Sequence, residues 1–249
     1  MQRRAQADAP EIDAPVEVRR HPGARRLTLR VSNSRRAVVV TMPLEVRDEE
    51  ARHFLARHID WVRERLSAIP AAVPFENGAE LPLRGEAHVL AFVGLRPRSM
   101  VDDIVRPVVW TERNCGGAKP LVCVSGHVEH APRRLKDWLI YQARKDLSER
   151  VALHSERLKL EPRRLSVRDQ TSRWGSCSTS GLLCFSWRLI LAPRFVLDYV
   201  AAHEVVHLKE MNHGPRFWAL VEKTMPEMRA AKSWLAAHGA RLHSIGPSL

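Results

Sequence analysis

The 249-residue sequence has few cysteines and no close cysteine pairs. Cys115, Cys123, Cys177 and Cys184 lie too far apart for the paired ligands of a zinc ribbon, and they are too few for a small disulfide-stapled secreted domain. We therefore expect reduced, mostly buried thiols. A chain of this length can bury a substantial core without such support, as one large domain or two modest ones.

Long apolar runs are also missing. The N-terminal segment MQRRAQADAPEIDAP has no apolar stretch of the length that a secretory signal needs, and no run of about 18 apolar residues is free of charge. We expect a soluble, cytoplasmic protein with no membrane association. Residues 1–15 are polar and aperiodic, and they are predicted to be a disordered lead-in.

What the sequence has in excess is positive charge. It contains 40 Lys and Arg residues against 28 Asp and Glu residues, a formal net charge of +12. Such a charge attracts polyanions, so nucleic acid is a candidate partner. The arginines are spread along the whole chain rather than gathered in one stripe, so this support is weak.

The apolar pattern predicts an α+β fold with a change of character near residue 130. Residues 16–130 form a strand-rich region with one helix: RRLTLRVS and RAVVVTMP flank the turn-like NS as a hairpin, a helix covers 48–67, and strands follow between 78 and 126. Residues 131–249 are predicted to be the catalytic domain. Here a long helix leads into the strands RRLSVRDQ and GLLCFSWRLILA, which the polar turn TSRWGSCSTSG separates. Pro193 then opens a helix, and two more helical segments are split by Pro226 and closed by Gly239.

The segment HEVVH carries the strongest chemical signal. His203 and His207 are four residues apart, so on a helix they lie on one face and within reach of a single ion. Imidazole nitrogens bind Zn²⁺ at about 2.0 Å, and a catalytic zinc site keeps one position for water. Glu204 is rotated by about 100° around the helix axis, beside that water, where a carboxylate can act as general base.

A third metal ligand is required, and three residues compete for the role. His213 lies six residues after His207, so the chain must bend, and the intervening Asn212 and Gly214 tolerate a bend. Glu222 could return a carboxylate from a later helix, and Glu210 lies on nearly the same helical face as His203. We favour His213.

The segments SRWGSCS, LDYVAAHEVVHL and NHGPRFW together resemble the YgjP-type metallopeptidase-like family, relatives of the SprT-like proteins in the zincin superfamily. The resemblance runs from about residue 135 to 234 and only weakly before that. It implies a zincin-like core in which the HExxH helix packs on a small mixed sheet. It also implies a zinc site made of His203, His207 and His213 with Glu204 beside it.

Arg173, in SRWGSCS, is open to two interpretations. Its permanently charged, forked guanidinium suits the stabilisation of an oxyanion or of a substrate carboxylate, which would make it a catalytic residue. Alternatively, a buried Trp174 beside Gly175 holds a tight turn against the helix of HEVVH, and Arg173 pairs with an acidic neighbour such as Asp198 in a structural role. Cys177 is a weaker candidate nucleophile, because the local sequence offers no adjacent base.

Three functions remain open from the sequence. The leading one is a zinc metallopeptidase that acts on a peptide or protein substrate. The alternatives are a metal-dependent hydrolase of a nucleotide or phosphoester, which normally uses a carboxylate-rich two-metal site, and a DNA-associated module with a structural zinc, which normally has four protein ligands.

Overall fold

The computed structural model describes residues 12–32, 36–95, 107–113, 118–170 and 173–246. These residues contain six α-helices and three small mixed sheets, which confirms the α+β class. They divide into two compact units, residues 12–71 and 72–246. The predicted change near residue 130 lies inside the second unit, because strands before that point share one hydrophobic core with the helices after it. Residues 1–11 of the predicted lead-in lie outside the described residues.

The first unit is a three-stranded sheet with two helices: β1 (Val16–Arg20), β2 (Thr28–Ser32), β3 (Ala37–Met42), α1 (Asp48–Arg57) and α2 (Ile59–Ser67). β2 and β3 pair antiparallel, so the predicted hairpin is confirmed, while its predicted NS turn lies outside the described residues. β1 pairs parallel with β3 and was not predicted. Its apolar alternation covers only Val16 to Val18 and is followed by two arginines, and most of the strand is exposed, so the strand signal in the sequence is short.

The helix predicted over 48–67 is interrupted at His58. That residue leaves helical geometry, with φ −112° and ψ 17°, and it separates α1 from α2. The sequence has no proline or glycine at this point to announce the break. Both helices still bury apolar side chains, and Leu55 and Val62 share a cluster with Val38 of β3.

The second unit begins with a four-stranded sheet of order β4-β5-β7-β6. Its strands are β4 (Glu80–Leu83), β5 (Glu86–Phe92), β6 (Val109–Glu112) and β7 (Leu121–Val124). All four lie in the segments where short apolar runs predict strands. The helix α3 (Ala131–Leu158) follows, and its buried stripe repeats every four residues along Leu135, Leu139, Ala143, Leu147 and Val151.

A second sheet in this unit has the order β8-β10-β9, made of β8 (Arg164–Arg168), β9 (Gly175–Cys177) and β10 (Leu182–Ser186). Two sequence predictions are wrong here. The segment predicted as a polar turn contains β9, an edge strand paired with β10. The second half of GLLCFSWRLILA is a buried 3₁₀ helix, Trp187–Leu191, which begins where the Ser186 hydroxyl accepts a hydrogen bond from the Arg188 amide (3.4 Å).

Three further helices complete the unit: α4 (Arg194–Val206), α5 (Pro215–Thr224) and α6 (Met228–His243). α4 packs against α3 and α6, and β9 runs beside it. Gly239 does not close the last helix, as predicted, but lies within α6. A Cβ atom there would come within 3.2 Å of the Trp174 ring, so the glycine serves close packing rather than termination.

Candidate metal centre

α4 carries the first histidine and the glutamate of HEVVH on a strongly buried helix. Val200, Ala201, Val205 and other apolar residues fill its core face, which fixes the helix against the rest of the unit. His207 is the first residue beyond α4, but its backbone stays helical (φ −61°, ψ −18°) and its amide bonds to the His203 carbonyl. His203 and His207 therefore keep the one-turn spacing that the sequence predicts.

The chain turns after α4 and brings His213 back to the helix. Tight backbone hydrogen bonds close the turn, including one from the Gly214 amide to the Asn212 carbonyl (2.8 Å), and α5 then begins at Pro215. Nε2 of His213 lies 3.0 Å from Nε2 of His203. One ligand nitrogen from each of the three histidines lies within 4.8 Å of the others.

Phe217 packs against the rings of the three histidines, and a backbone carbonyl orients one of them. Phe217 of α5 is fully buried, and its ring lies 4.6 to 4.8 Å from all three imidazoles. The Glu210 carbonyl lies 3.0 Å from His207 Nδ1 and can accept a hydrogen bond from an N–H at that atom. Nε2 of His207 is then left as the metal-binding atom. Nδ1 of His203 is buried and has no partner among the described residues.

The donor set fits a divalent transition metal. Burial, followed by the charges of His207, His213 and Lys232, lowers the pKa of His203 to about 3. Burial also lowers the pKa of His207. The hydrogen bond to the Glu210 carbonyl raises this pKa, and the charge of His213 lowers it further. Neutral imidazole is the form that binds metal, and three imidazoles match the ligand type of a catalytic zinc.

Glu204 lies beside this cluster and is enclosed by protein. Its side chain is 5 % exposed, and its Oε2 atom has no hydrogen-bond partner in the described part of the chain. Burial raises the pKa of Glu204 to about 8, against the opposing charge of Arg173. A carboxyl group with such a pKa can take up and release a proton near neutral pH.

β9 makes the tightest approach to Glu204. A Cβ atom on Gly175 would lie 2.6 Å from both Cγ and Oε1 of Glu204, closer than real side chains come. The sequence predicts for Gly175 only a place in a tight turn beside Trp174, packed against the helix of HEVVH. A glycine close to the candidate Arg173 indicates that another group approaches the backbone there. The contact of Gly175 with Glu204, 29 positions later, depends on the tertiary fold and cannot be predicted from the local sequence.

Arg173 is exposed, and its charge acts on Glu204. The predicted structural alternative, a pair with Asp198, is wrong, because Asp198 is bound by two other residues. Arg150 contacts both Asp198 carboxylate oxygens (2.5 and 2.8 Å), and His154 Nε2 lies 2.7 Å from Oδ1. Within the described ranges Arg173 has no ion pair.

The other candidate ligands and the candidate nucleophile lie apart from the cluster. Glu210 contributes its backbone carbonyl rather than its carboxylate, and Glu222 on α5 is exposed, 3.9 Å from Arg229. Neither carboxylate belongs to the group of three histidines. Burial, with a smaller effect from Glu204, raises the pKa of the Cys177 thiol, which disfavours the thiolate that nucleophilic catalysis needs.

A family model for the YgjP-like metallopeptidase domain matches residues 25–238. The chain belongs to the YgjP-like family. The match confirms the resemblance and extends it well beyond residues 135–234, to the strands of the first unit. Membership in the YgjP-like family makes this a metallopeptidase domain, which supports a metal-dependent peptidase in general terms.

No curated protein and no solved structure matches the chain. In the part of this YgjP-like chain that the structure describes, no helix is both long and apolar enough to cross a membrane.

Proposed function

We propose that the protein is a zinc-dependent peptidase that uses His203, His207 and His213 as metal ligands and Glu204 as general base. One observation carries the proposal. Three imidazole nitrogens converge within 4.8 Å beside a buried carboxylate oxygen that has no partner among the described residues. The position of α4 beside the edge strand β9 supports the zincin-like arrangement that the sequence predicts.

A zinc ion held by the three histidines would supply Lewis acidity, which polarises a carbonyl and acidifies water. The chain's own contribution begins with His203 and His207, whose pKa values are lowered by burial and by the charges of neighbouring histidines, which favours their neutral form. The Glu210 carbonyl orients His207, and Phe217 packs beneath all three rings. These contacts hold the ligands in place before any substrate binds.

Glu204 performs the proton transfers in this proposal. Its carboxylate accepts a proton from the attacking water and then donates it to the nitrogen of the departing amine. Its raised pKa, about 8, suits both steps because neither the acid nor the base form is strongly disfavoured near neutral pH. Arg173, which is exposed and acts electrostatically on Glu204, stabilises negative charge on the carbonyl oxygen of the substrate.

The alternative functions have less support. A two-metal phosphoesterase needs a carboxylate-rich cluster, and a structural zinc needs four protein ligands, whereas the candidate cluster within the described ranges consists of three histidines. The net charge of +12 still makes nucleic acid a candidate partner. Both that partner and a cytoplasmic location stay predictions.

The deciding experiment compares Glu204→Gln with His213→Ala. Zinc content and cleavage of a fluorogenic peptide library and of denatured protein are measured for each variant. Glu204→Gln is expected to keep its zinc and to lose about 100-fold or more in kcat, a typical loss for a general base. His213→Ala is expected to lose zinc and activity together.

Glu222→Gln is the matched control, because it changes another glutamate to glutamine on an exposed helix surface. It is expected to match the wild-type protein in both measurements. Undiminished turnover by Glu204→Gln, or full activity after chelation of the metal, would reject the proposed mechanism.

A further inference from the structure

A lysine on α6 lies one aromatic ring away from the candidate metal ligands. The ammonium nitrogen of Lys232 is 4.5 Å from the centroid of the Trp218 ring, which is a cation–π contact. The Trp218 ring in turn lies 5.7 Å from the His213 ring and 5.9 Å from the His203 ring. The exposed ammonium is therefore held next to the metal centre.

The charge of Lys232 is not neutralised locally by an ion pair. Across the described ranges, no carboxylate lies within ion-pairing distance of its ammonium group. The acidic side chain on the neighbouring helix, Glu222, lies instead 3.9 Å from Arg229.

The face of α6 that carries Lys232 also packs beside the segment that contains Arg173. Lys232, Gly239 and His243 follow one another at intervals of seven and four residues, so they share one face of α6. Gly239 and His243 both pack on the Trp174 ring, and His243 is stacked on it at 4.3 Å. The residue before Trp174 is Arg173, so this face of α6 adjoins the segment that carries the other cation.

Lys232 is exposed, whereas Glu204, the carboxylate of the candidate site, is buried. An exposed ammonium group with no ion-pair partner attracts a carboxylate of the ligand. The Trp218 ring restrains the flexible lysine stem, which reduces the entropy lost when a ligand binds.

We propose that Lys232 is a specificity-determining residue that binds a carboxylate of the substrate close to the scissile bond. The carboxylate belongs either to an acidic side chain or to a free C-terminus. The inference rests on the proposed peptidase function, and it adds to that function a substrate class, namely anionic peptides.

The test uses four peptides that differ only in carboxylate groups. One position near the cleaved bond is Glu or the isosteric Gln, and each peptide has either a free or an amidated C-terminus. We expect kcat/KM to favour one carboxylate by about fivefold to tenfold, the range of a partly exposed to a well-aligned ion pair. The Glu/Gln arm and the amidation arm distinguish the two sources.

Variants of Lys232 assign the preference to this residue. Lys232→Met keeps an apolar stem over Trp218 and is expected to abolish the preference, whereas Lys232→Arg keeps the charge and is expected to retain it. Lys232→Glu should reverse the preference toward a peptide with Lys at the same position. Lys223→Met, on the exposed surface of α5, removes the same charge and is expected to leave the preference unchanged.

A binding measurement separates this inference from the proposed function. Fluorescence anisotropy with the same labelled peptides is measured on the wild-type protein and on Glu204→Gln, with and without Lys232→Met. Metal-dependent cleavage with equal kcat/KM for all four peptides, or a preference that survives Lys232→Met, overturns the inference while the peptidase proposal stands. A Lys232-dependent binding preference without metal-dependent cleavage of any peptide shows carboxylate binding by Lys232, but it rejects the peptidase proposal and with it a role of Lys232 in cleavage specificity.

Discussion

At the scale of single residues, Gly175 sets how closely β9 approaches Glu204. The strand is held by its pairing with β10, in which Gly175 lies opposite Phe185, so its backbone has little freedom to retreat. Any side chain at this position would meet Glu204 at 2.6 Å, and the glutamate would have to move. Glu204, the proposed general base, can therefore keep its position only because residue 175 has no side chain.

We predict that Gly175→Ala displaces Glu204 without disturbing the histidines. Because a shift of about 1 Å in a reacting group can cost about 100-fold, kcat for peptide cleavage should fall by that order. Zinc content should stay at the wild-type level, since the three imidazoles do not contact Gly175. Activity close to wild type in a correctly folded Gly175→Ala protein would show that Glu204 does not depend on this contact.

The site divides into a part that is visible in the sequence and a part that is not. His203, Glu204 and His207 fall within little more than one helical turn, so local geometry alone brings them together. Gly175 and Lys232 reach the same place from a strand and a separate helix. Their roles follow from tertiary packing, which no local spacing encodes.

At the scale of elements, a half-buried ion pair links α3 to α4. Asp198 of α4 receives Arg150 and His154 of α3, and His154 is fully buried, with its Nδ1 atom 2.7 Å from the Thr224 hydroxyl. Burial by itself would raise the pKa of Asp198, but hydrogen bonds from His154 and Arg150 lower it below the ordinary value of 3.8. The ionised carboxylate thus holds the helix that carries His203 and Glu204.

We predict that Asp198→Asn lowers the free energy of unfolding by about 2 kcal/mol, less than the loss of about 3 kcal/mol for a fully buried pair, because Arg150 keeps partial access to water. The loss arises because Arg150 keeps its charge but faces a neutral amide. Urea unfolding followed by circular dichroism measures it. Asp137→Asn on the exposed face of α3 is the control and should change the value by less than about 0.5 kcal/mol.

A loss of similar size in Asp137→Asn would mean that the total charge of α3, rather than the Asp198 contact, sets the stability.

The sequence predicts the second unit's helices well and its short elements poorly. α3 has a long apolar repeat, and prolines announce the starts of α4 and α5. β9 has three half-buried residues, so its short burial pattern cannot identify a strand. The 3₁₀ helix Trp187–Leu191 is buried at every position, and a continuous apolar run does not distinguish such a segment from a strand.

At the scale of the whole molecule, buried titratable groups make stability depend on pH. His243 lies between Trp174 and the Arg188–Asp169 ion pair, and its Nδ1 atom has no partner in the described residues. Burial and then Arg188 lower the pKa of His243 to about 4, against the opposing charge of Asp169. The folded protein therefore resists protonation at a pH where the unfolded chain accepts it.

We predict that the free energy of unfolding falls as pH drops from 6.5, the ordinary histidine pKa, toward the folded value of about 4. Because the pKa of His243 is lower in the folded state, the unfolded state binds more protons between pH 6.5 and about 4, so acid favours unfolding. His243→Phe keeps a ring against Trp174 and should flatten the dependence by at most about 1.4 kcal/mol per pH unit. Urea unfolding of both proteins at several pH values measures the difference.

The metal ligands contribute equally to both proteins and cancel in that difference. Parallel pH profiles for the wild-type protein and His243→Phe would show that His243 is protonated equally in the folded and unfolded states.

The overall class of the molecule follows from the sequence, but its division into units does not. Alternating apolar runs and helical repeats predict the α+β class. The boundary at residue 71 escapes prediction because the strands β4 to β7 resemble those of the first unit in pattern, yet they share a core with α3. Which apolar faces meet is decided by the tertiary fold.

The length of α3 has a consequence for how the second unit opens. Its 28 residues span about 42 Å at 1.5 Å per residue, and its buried stripe belongs to the same core as both sheets and α4. Local fluctuations cannot release such a helix piece by piece, because its buried residues belong to one continuous core with α4 and strands of both sheets. Amide hydrogen exchange along Leu135–Val151 should therefore be the slowest in the unit and should report its global opening.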